Sequence, residues 1–480
     1  MSHVLKFQQN GVDVIDIGAG FAGGNPYALV EYNPVTPTSD AQTGEYDLVS
    51  DVLDTMVISV SGTSPDNLVN NLNALEQLLQ EAQYYKEDEN YPKGIVELVF
   101  ALQGGTNTVR VQVCGGKVES SKKFLGASTL SNYIDEIPIR VLRRPAWRGT
   151  KETLALTTSP SDNDANNFAA LPSVKGSLPA LAIVRVTASG GNSANANRVL
   201  LALRANRTPA NFTHTLQAEN YTARDTAVAN LSDTNLSPGG AGVTGQRYTP
   251  TDTTFKMILR WEVTANVDDQ KGKFIPVAFV RDNSSVPNYL LQFRAGIKLS
   301  SGVFQFPPQY ATFDKVKTKF VNGTTEIGAL ELGQFTNPAY GGTKITPTAI
   351  VYELWAKALS TSSTSLDVDM VKFFPIGEAR KGRGMIAAEF PQGIGANRVY
   401  FDAQEEYDIA YMTNGSDALL CGANNVPDGA PMWIPAQQAG FRLYGLLTRD
   451  AANGAKYDRT TTLNMSIDVI PLYVKLRGTN

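Results

Sequence analysis

Apolar and polar residues alternate with period two over most of this chain, and one stretch departs from that pattern to a helical period. In "SPDNLVNNLNALEQLLQEAQYY", Leu68, Leu72, Leu75, Leu79 and Ala82 recur at three- and four-residue steps and make one apolar stripe. Ser64 is a natural N-cap, and Pro65 stands at the first helical position, where its missing N–H leaves nothing unsatisfied. Before the helix, "DTMVISVSG" puts Met56, Ile58 and Val60 on one strand face. After it, "GIVELVFALQG" and "TVRVQVCGGKVES" read as strands joined by the turn "GGTN", and "IDEIPIRVLRRP" reads as another. The order β–α–β–β–β predicts an α+β domain over residues 1–150, with its helix packed on a small sheet.

Two strong strands follow, "LPALAIVRVTAS" and "NRVLLALRA", and then the alternation stops. A lone hairpin is marginal, so these strands need partners from elsewhere. About four more strands come after Asn397: "NRVYFDAQEEYDIAYM", "APMWIP", "FRLYGLLTR" and "TLNMSIDVIPLYVKLRG". The pattern predicts one discontinuous β-sandwich over 151–212 and 386–480, with a domain of residues 213–385 inserted in it. The insert opens on the polar, Gly-rich run from Gln217 to Gly245, expected to be its irregular first edge. "TFKMILRWEVTA" follows, with Phe255, Met257, Leu259 and Trp261 on one face, then "KFIPVAFVRD", "NYLLQFRAGI", "ITPTAIVYELWAKALS" and "SLDVDMVKFFPI". Many strands with frequent turns describe a second sandwich or jelly roll.

Length and charge narrow the function. A chain of 480 residues exceeds one core and suggests about three domains. Charged residues are 18% of the chain and the formal net charge is -4, so there is no basic field for nucleic acid. Arg143, Arg144 and Arg148 around Trp147 read as a subunit contact or solvated edge in preference to a phosphate patch. No run approaches the roughly 18 apolar residues of a membrane helix. The start lacks the basic-then-apolar layout of a signal peptide, which points to a cytoplasmic site of synthesis. Cys114 and Cys421 stand far apart and belong to no motif.

Candidate chemistry is sparse. His3 and His214 have no metal-binding partner pattern. "GAGFAGG" misses the spacing of a dinucleotide loop, and no cofactor is expected. Asp367 and Asp369 share a face if their strand is regular, and with Glu219 they are the candidate calcium ligands, since hard oxygens suit that ion. The alternative is that they are strand-face acids or loop caps, and as a catalytic pair they are disfavoured. For sugar stacking, the candidates are Tyr289, Tyr310 and Tyr340, with Tyr221 and Trp355 beside them; Trp261 reads as core.

"HTLQAENYTARDTAVANLSDTNLSPGGAGV" and "SLDVDMVKFFPI" resemble the opening and closing parts of jelly-roll carbohydrate-binding modules. The pattern "VISVSG…LNALEQLLQEA…IVELVFALQGGTNTVRVQVCGGKVE", the junction "RRPAWRGT" and the terminal "IDVIPLYVKLRG" resemble phage distal tail, or baseplate, proteins. The resemblance implies a mainly β fold: a small α+β ring-forming domain and two β-sandwich domains of jelly-roll or galectin-like form. It also implies a non-enzymatic virion tail component made in the host cytoplasm. Its implied partners are further copies in a ring, the tail tube and hub, and a host surface polysaccharide bound through the insert, with no nucleic acid and no membrane insertion. A purely architectural virion protein and a carbohydrate-active enzyme with an accessory module are the alternatives.

Overall fold

A computed structural model describes residues 4–39, 46–101, 108–119, 132–156, 168–189, 196–205, 215–233, 244–264, 273–284, 288–307, 327–336, 347–362, 364–376, 384–402, 409–423, 428–429, 433–436, 441–449, 456–457 and 462–474. The fold is mainly β, with several sheets and one long helix. Contacts divide the chain into two compact units. The first is Met1–Glu152 with Lys175–Ala180 and Ile470–Asn480, and the second is Thr153–Val174 with Leu181–Val469.

The helix of the first unit runs Pro65–Glu87, as its apolar stripe predicts. The Ser64 side chain accepts a hydrogen bond from the Asn67 N–H at 3.1 Å, satisfying one of the open amides of the first turn. Leu68, Leu75, Leu78, Leu79 and Ala82 are buried on the sheet. A β-carbon at Gly116 would lie 2.3 Å from the Arg140 carbonyl oxygen and 3.2 Å from Leu79, so glycine is required where helix and sheet come close. The sheet runs Val12–Asp16, Val4–Gln9, Val96–Ala101, Thr108–Val118, Tyr133–Arg143, Val52–Ser61, Tyr27–Tyr32. Its two ends approach each other, where the Leu29 N–H donates to the Ile17 carbonyl at 2.7 Å. Leu5, Phe7, Ile58, Leu75, Leu79, Leu98, Val111, Ile139 and Trp147 share one core. Each such side chain contributes about 1.5–3 kcal/mol by burial.

The second unit holds sheets of thirteen, seven and five strands. The five-stranded sheet runs Ala223–Arg224, Lys256–Thr264, Pro347–Ala358, Tyr289–Leu299, Phe304–Gln305. Its core face packs with Leu216, Phe274, Phe335, Val368 and Phe373 of the thirteen-stranded sheet and its neighbouring segments. Trp261 belongs to this core, as expected, and its Nε1 donates to the Gln217 carbonyl at 2.8 Å. Phe255 and Met257 do not share its face, because a bulge between Met257 and Leu259 shifts the alternation.

The thirteen-stranded sheet continues past these strands. Gly328 pairs with Lys456, beyond which lie Phe441–Arg449, Arg198–Ala205 and Gly384–Glu389. Leu200, Val277, Phe279, Met370, Met385, Tyr444 and Leu446 form a cluster that spans both parts. The seven-stranded sheet runs Leu419–Gly422, Ile409–Thr413, Arg398–Asp402, Ala180–Ser189, Thr462–Val469, Glu152–Leu156. A β-carbon at Gly445 would sit 2.9 Å from Leu463, so the larger sheet packs directly on this one.

Candidate functional site

The strand Leu366–Ile376 carries the two aspartates of the sequence-based calcium site. On one side it pairs with Lys273–Asp282, where Phe279 faces Met370 and the next residue, Val280, faces Val368. Asp369 is the extra residue of a bulge. On the other side Thr215–Gln217 ends its pairing at Met370, and Thr244–Tyr248 begins at Val368. Asp369 therefore stands at the gap between two partner strands, where the chain turns through Ala218–Asn220.

The bulge separates the aspartates, which is the physical reason the common-face expectation fails. Asp367 is fully buried and ion-paired: Arg247 Nε lies at 2.7 Å from it, Arg281 Nη2 at 2.6 Å, and Asn283 Nδ2 at 2.7 Å. Two guanidinium groups already neutralise its charge, so the calcium role expected of Asp367 is not supported. Asp369 is 1% exposed and faces Glu219. Asp369 Oδ2 and Glu219 Oε2 are buried, with no hydrogen-bond partner. Burial, and then the Glu219 charge, push the Asp369 carboxyl up to about 8. Burial raises Glu219 as well. Among the described residues, no group of three or more His, Cys, Asp or Glu is placed to hold a metal. What the fold brings together is a pair of like-charged, under-satisfied carboxylates. These two carboxylates supply hard oxygens of the type calcium prefers, but only two of the roughly six to eight ligands it takes.

The aromatic candidates fare differently. Tyr289 is 1% exposed, inside the core, with its ring against Tyr248 and its hydroxyl at 3.2 Å from Thr364. It is a core residue and not a sugar platform, because its position in the alternation points inward with Leu291 and Phe293. Tyr310 and Tyr340 lie outside the described residues. Tyr221 is half-buried under Arg224, 4.9 Å from its ring centroid. Trp355 is half-buried, stacked on Arg294 at 4.2 Å, and its Nε1 donates to Glu353 at 2.8 Å. Arg260 Nη2 reaches Glu353 at 2.6 Å and lies over Phe304. This polar and aromatic ladder lies on the face of the five-stranded sheet opposite Tyr352, Leu354 and Ala356, and Glu353 and Arg294 are buried there too, at 1% and 8% exposure. The spacing of "VYELWAKA" signals it: with Tyr352, Leu354 and Ala356 in the core, Glu353, Trp355 and Lys357 fall on the other face.

The remaining motifs resolve as structure. Arg143 is fully buried, with Nε at 2.5 Å from Asp54, and stacks on Trp147 at 5.2 Å. Arg144 lies 3.6 Å from Asp51, and Arg148 is exposed. Arg143 is thus an internal ion-pair partner and not part of a surface patch. Cys114 and Cys421 are both free thiols. His3 and His214 lie outside the described residues. The "GAGFAGG" loop is held by Asp16, which accepts from the Gly18 and Ala19 amides at 3.0 Å, and it leads into the strand Tyr27–Tyr32. No helix among the described residues is long and apolar enough to cross a membrane.

No protein-family model matches the sequence, and no curated relative matches it. Among solved structures, the chain is similar to one from the phage p2 baseplate in its activated conformation with Sr, at 9% identity and a TM-score of 0.20, over 76% of this chain and 97% of that one. It is similar to another from the same baseplate with Ca, at 10% identity and a TM-score of 0.18, over 77% and 98%. A chain from infectious bursal virus derived T=1 particles aligns at 10% identity and a TM-score of 0.14, over 68% and 79%. At these scores the superpositions define no shared fold.

Proposed function

We propose that this chain is a structural component of a phage tail tip, assembling as a ring through its first unit and presenting residues 213–385 toward the host surface. The tail assignment rests on the sequence layout described above. The observation that carries assembly is the edge of the first sheet. Beyond the Leu29–Ile17 bond at its end, Val12–Asp16 pairs on one side only among the named strands, and it leaves Val12 67% and Val14 49% exposed. An open strand edge with exposed valines is a template for a further chain unless it is covered. Light scattering of the full chain should report an oligomer at micromolar concentration, and Val14→Lys should shift it toward monomer. A wild-type chain that stays monomeric across that range would remove the proposal.

In this reading residues 213–385 supply glycan contact, and the Glu219–Asp369 pair holds calcium. Calcium would supply charge neutralisation there and would tie the turn Ala218–Asn220 to the strand Leu366–Ile376. The proposal that 213–385 is an inserted domain is supported by a core cluster drawn entirely from residues 216–373. Expressed alone, 213–385 should melt cooperatively by circular dichroism; a non-cooperative melt would make it inseparable from its frame. A second reading, an architectural virion protein with no glycan site in the insert, is favoured by the burial of Tyr289.

A further inference from the structure

The seven-stranded sheet lies outside the insert, and its outward face carries an arrangement that neither the ring nor the carboxylate pair uses. Tyr400 and Tyr411 are cross-strand partners, with ring centroids 5.0 Å apart and planes at 10°. The stack continues the register row: Gly422 is opposite Tyr411 on one side, and Arg185 is opposite Tyr400 on the other. Arg185 Nε donates to Ser466 Oγ at 2.9 Å. At Gly422 a β-carbon would meet nothing within 4 Å, so the strip beside the ring stack is open.

A rigid turn closes one end of this strip. The Asn414 side chain accepts from the Ser416 and Ala418 amides at 2.9 and 3.0 Å. The turn holds Asp417 at φ 61°, a left-handed conformation that is uncommon for a residue with a side chain. One carboxylate oxygen, Oδ1, accepts from Arg398 Nη1 at 2.6 Å and from the Tyr400 hydroxyl at 2.8 Å. The other oxygen has no hydrogen bond among the described residues, and the side chain is 58% exposed. The bonds to Oδ1, that of Arg398 first, hold the Asp417 carboxyl below the usual carboxylate range. The turn, Arg398 and the Tyr400 hydroxyl together fix the carboxylate at the tip of the Tyr400 ring.

We propose that this surface is a saccharide site: a hexopyranoside lays its C–H face along the Tyr400–Tyr411 stack above Gly422, and Asp417 with Arg398 binds its hydroxyls. The chemistry matches a neutral sugar on three counts. Aromatic faces attract the apolar side of a ring. A carboxylate beside a guanidinium offers an acceptor and donors to adjacent hydroxyls. A fixed carboxylate at one end of the strip disfavours phosphate and sulfate. The site is independent of the insert, so one chain would offer two places for a glycan, and in an assembly weak sites add by avidity.

The test uses the full chain and saturation-transfer difference NMR with methyl glycosides of glucose, galactose, mannose and N-acetylglucosamine. At least one should receive saturation at its ring protons, with a Kd of roughly millimolar order. Tyr411→Ala and Asp417→Asn should each weaken it about tenfold, whereas Tyr411→Phe, which keeps the ring, should retain it. Unchanged melting midpoints would show that the variants fold. No transfer to any of the four glycosides in the wild-type chain would overturn the proposal. Transfer at wild-type strength in folded Tyr411→Ala would also overturn it, while leaving the insert as the place of sugar contact.

Discussion

Asp54 in the first unit and Asp369 in the second are both essentially inaccessible to water, at 0% and 1% exposure, and their surroundings are opposite. Asp54 accepts from Arg143 at 2.5 Å, from the Tyr32 hydroxyl at 2.7 Å and from the Val35 amide at 2.8 Å. Arg143 in turn donates to the carbonyls of Val35, Arg144 and Pro145. Each donor and acceptor in that cluster has a partner, so the charge joins three segments of backbone. Asp369 faces another carboxylate, and one of its oxygens meets nothing. A buried ion costs several kcal/mol unless it is paired, so a compensated acid reads as architecture and an uncompensated one as a place where something binds.

The largest expected effect comes from uncoupling the compensated pair. Arg143→Ala leaves Asp54 charged in a dry core and should cost about 3–5 kcal/mol, read as a drop in the denaturation midpoint of the first unit. If the midpoint does not move, the cluster is not what holds those segments together.

The second effect concerns pH and calcium. The folded protein binds a proton at Asp369 that the unfolded chain releases near the ordinary carboxylate value of about 4. Its contribution to stability is therefore greatest below that value and is lost as pH rises toward about 8. Calcium should reverse the loss at high pH, giving about 2.7 kcal/mol at a hundredfold excess over its Kd. Asp369→Asn should abolish the calcium response and raise stability at pH 8 in chelator. A calcium response that survives in Asp369→Asn would place the ion elsewhere.

The smallest effect serves as the control. Asp13 is exposed, bonded to Lys6 at 2.5 Å, and held below the usual carboxylate range by that bond. Asp13→Asn should change stability by under about 1 kcal/mol, because solvent screens the pair. A larger change would mean that burial is not the variable separating the three acids.

The comparison also explains what the sequence reveals. The helix was legible because five apolar positions and a Ser-Pro start agree on one period. The core role of Trp261 followed from alternation with Leu259. The strands Val4–Gln9, Val12–Asp16 and Tyr27–Tyr32 escaped notice because each spans only five or six residues around a Gly-rich loop. Bulges defeated the rest. One between Met257 and Leu259 took Phe255 and Met257 off the core face, and one at Asp369 split the expected acid pair. A bulge depends on partner strands far away in the chain, so period-two counting along one strand does not register it. Glu219 and Asp369 were singled out from sequence, but their pairing follows from the gap between two partner strands. Arg143 was singled out too, yet its partner Asp54 lies 89 residues away, with nothing local to mark it.

The central claim is that the first unit drives assembly into a ring, and electron microscopy of the purified full-length chain in negative stain tests it most directly. The account predicts closed rings of uniform diameter that disappear in Val14→Lys. Fields of single, separate particles at the same concentration, for wild type and variant alike, would contradict it.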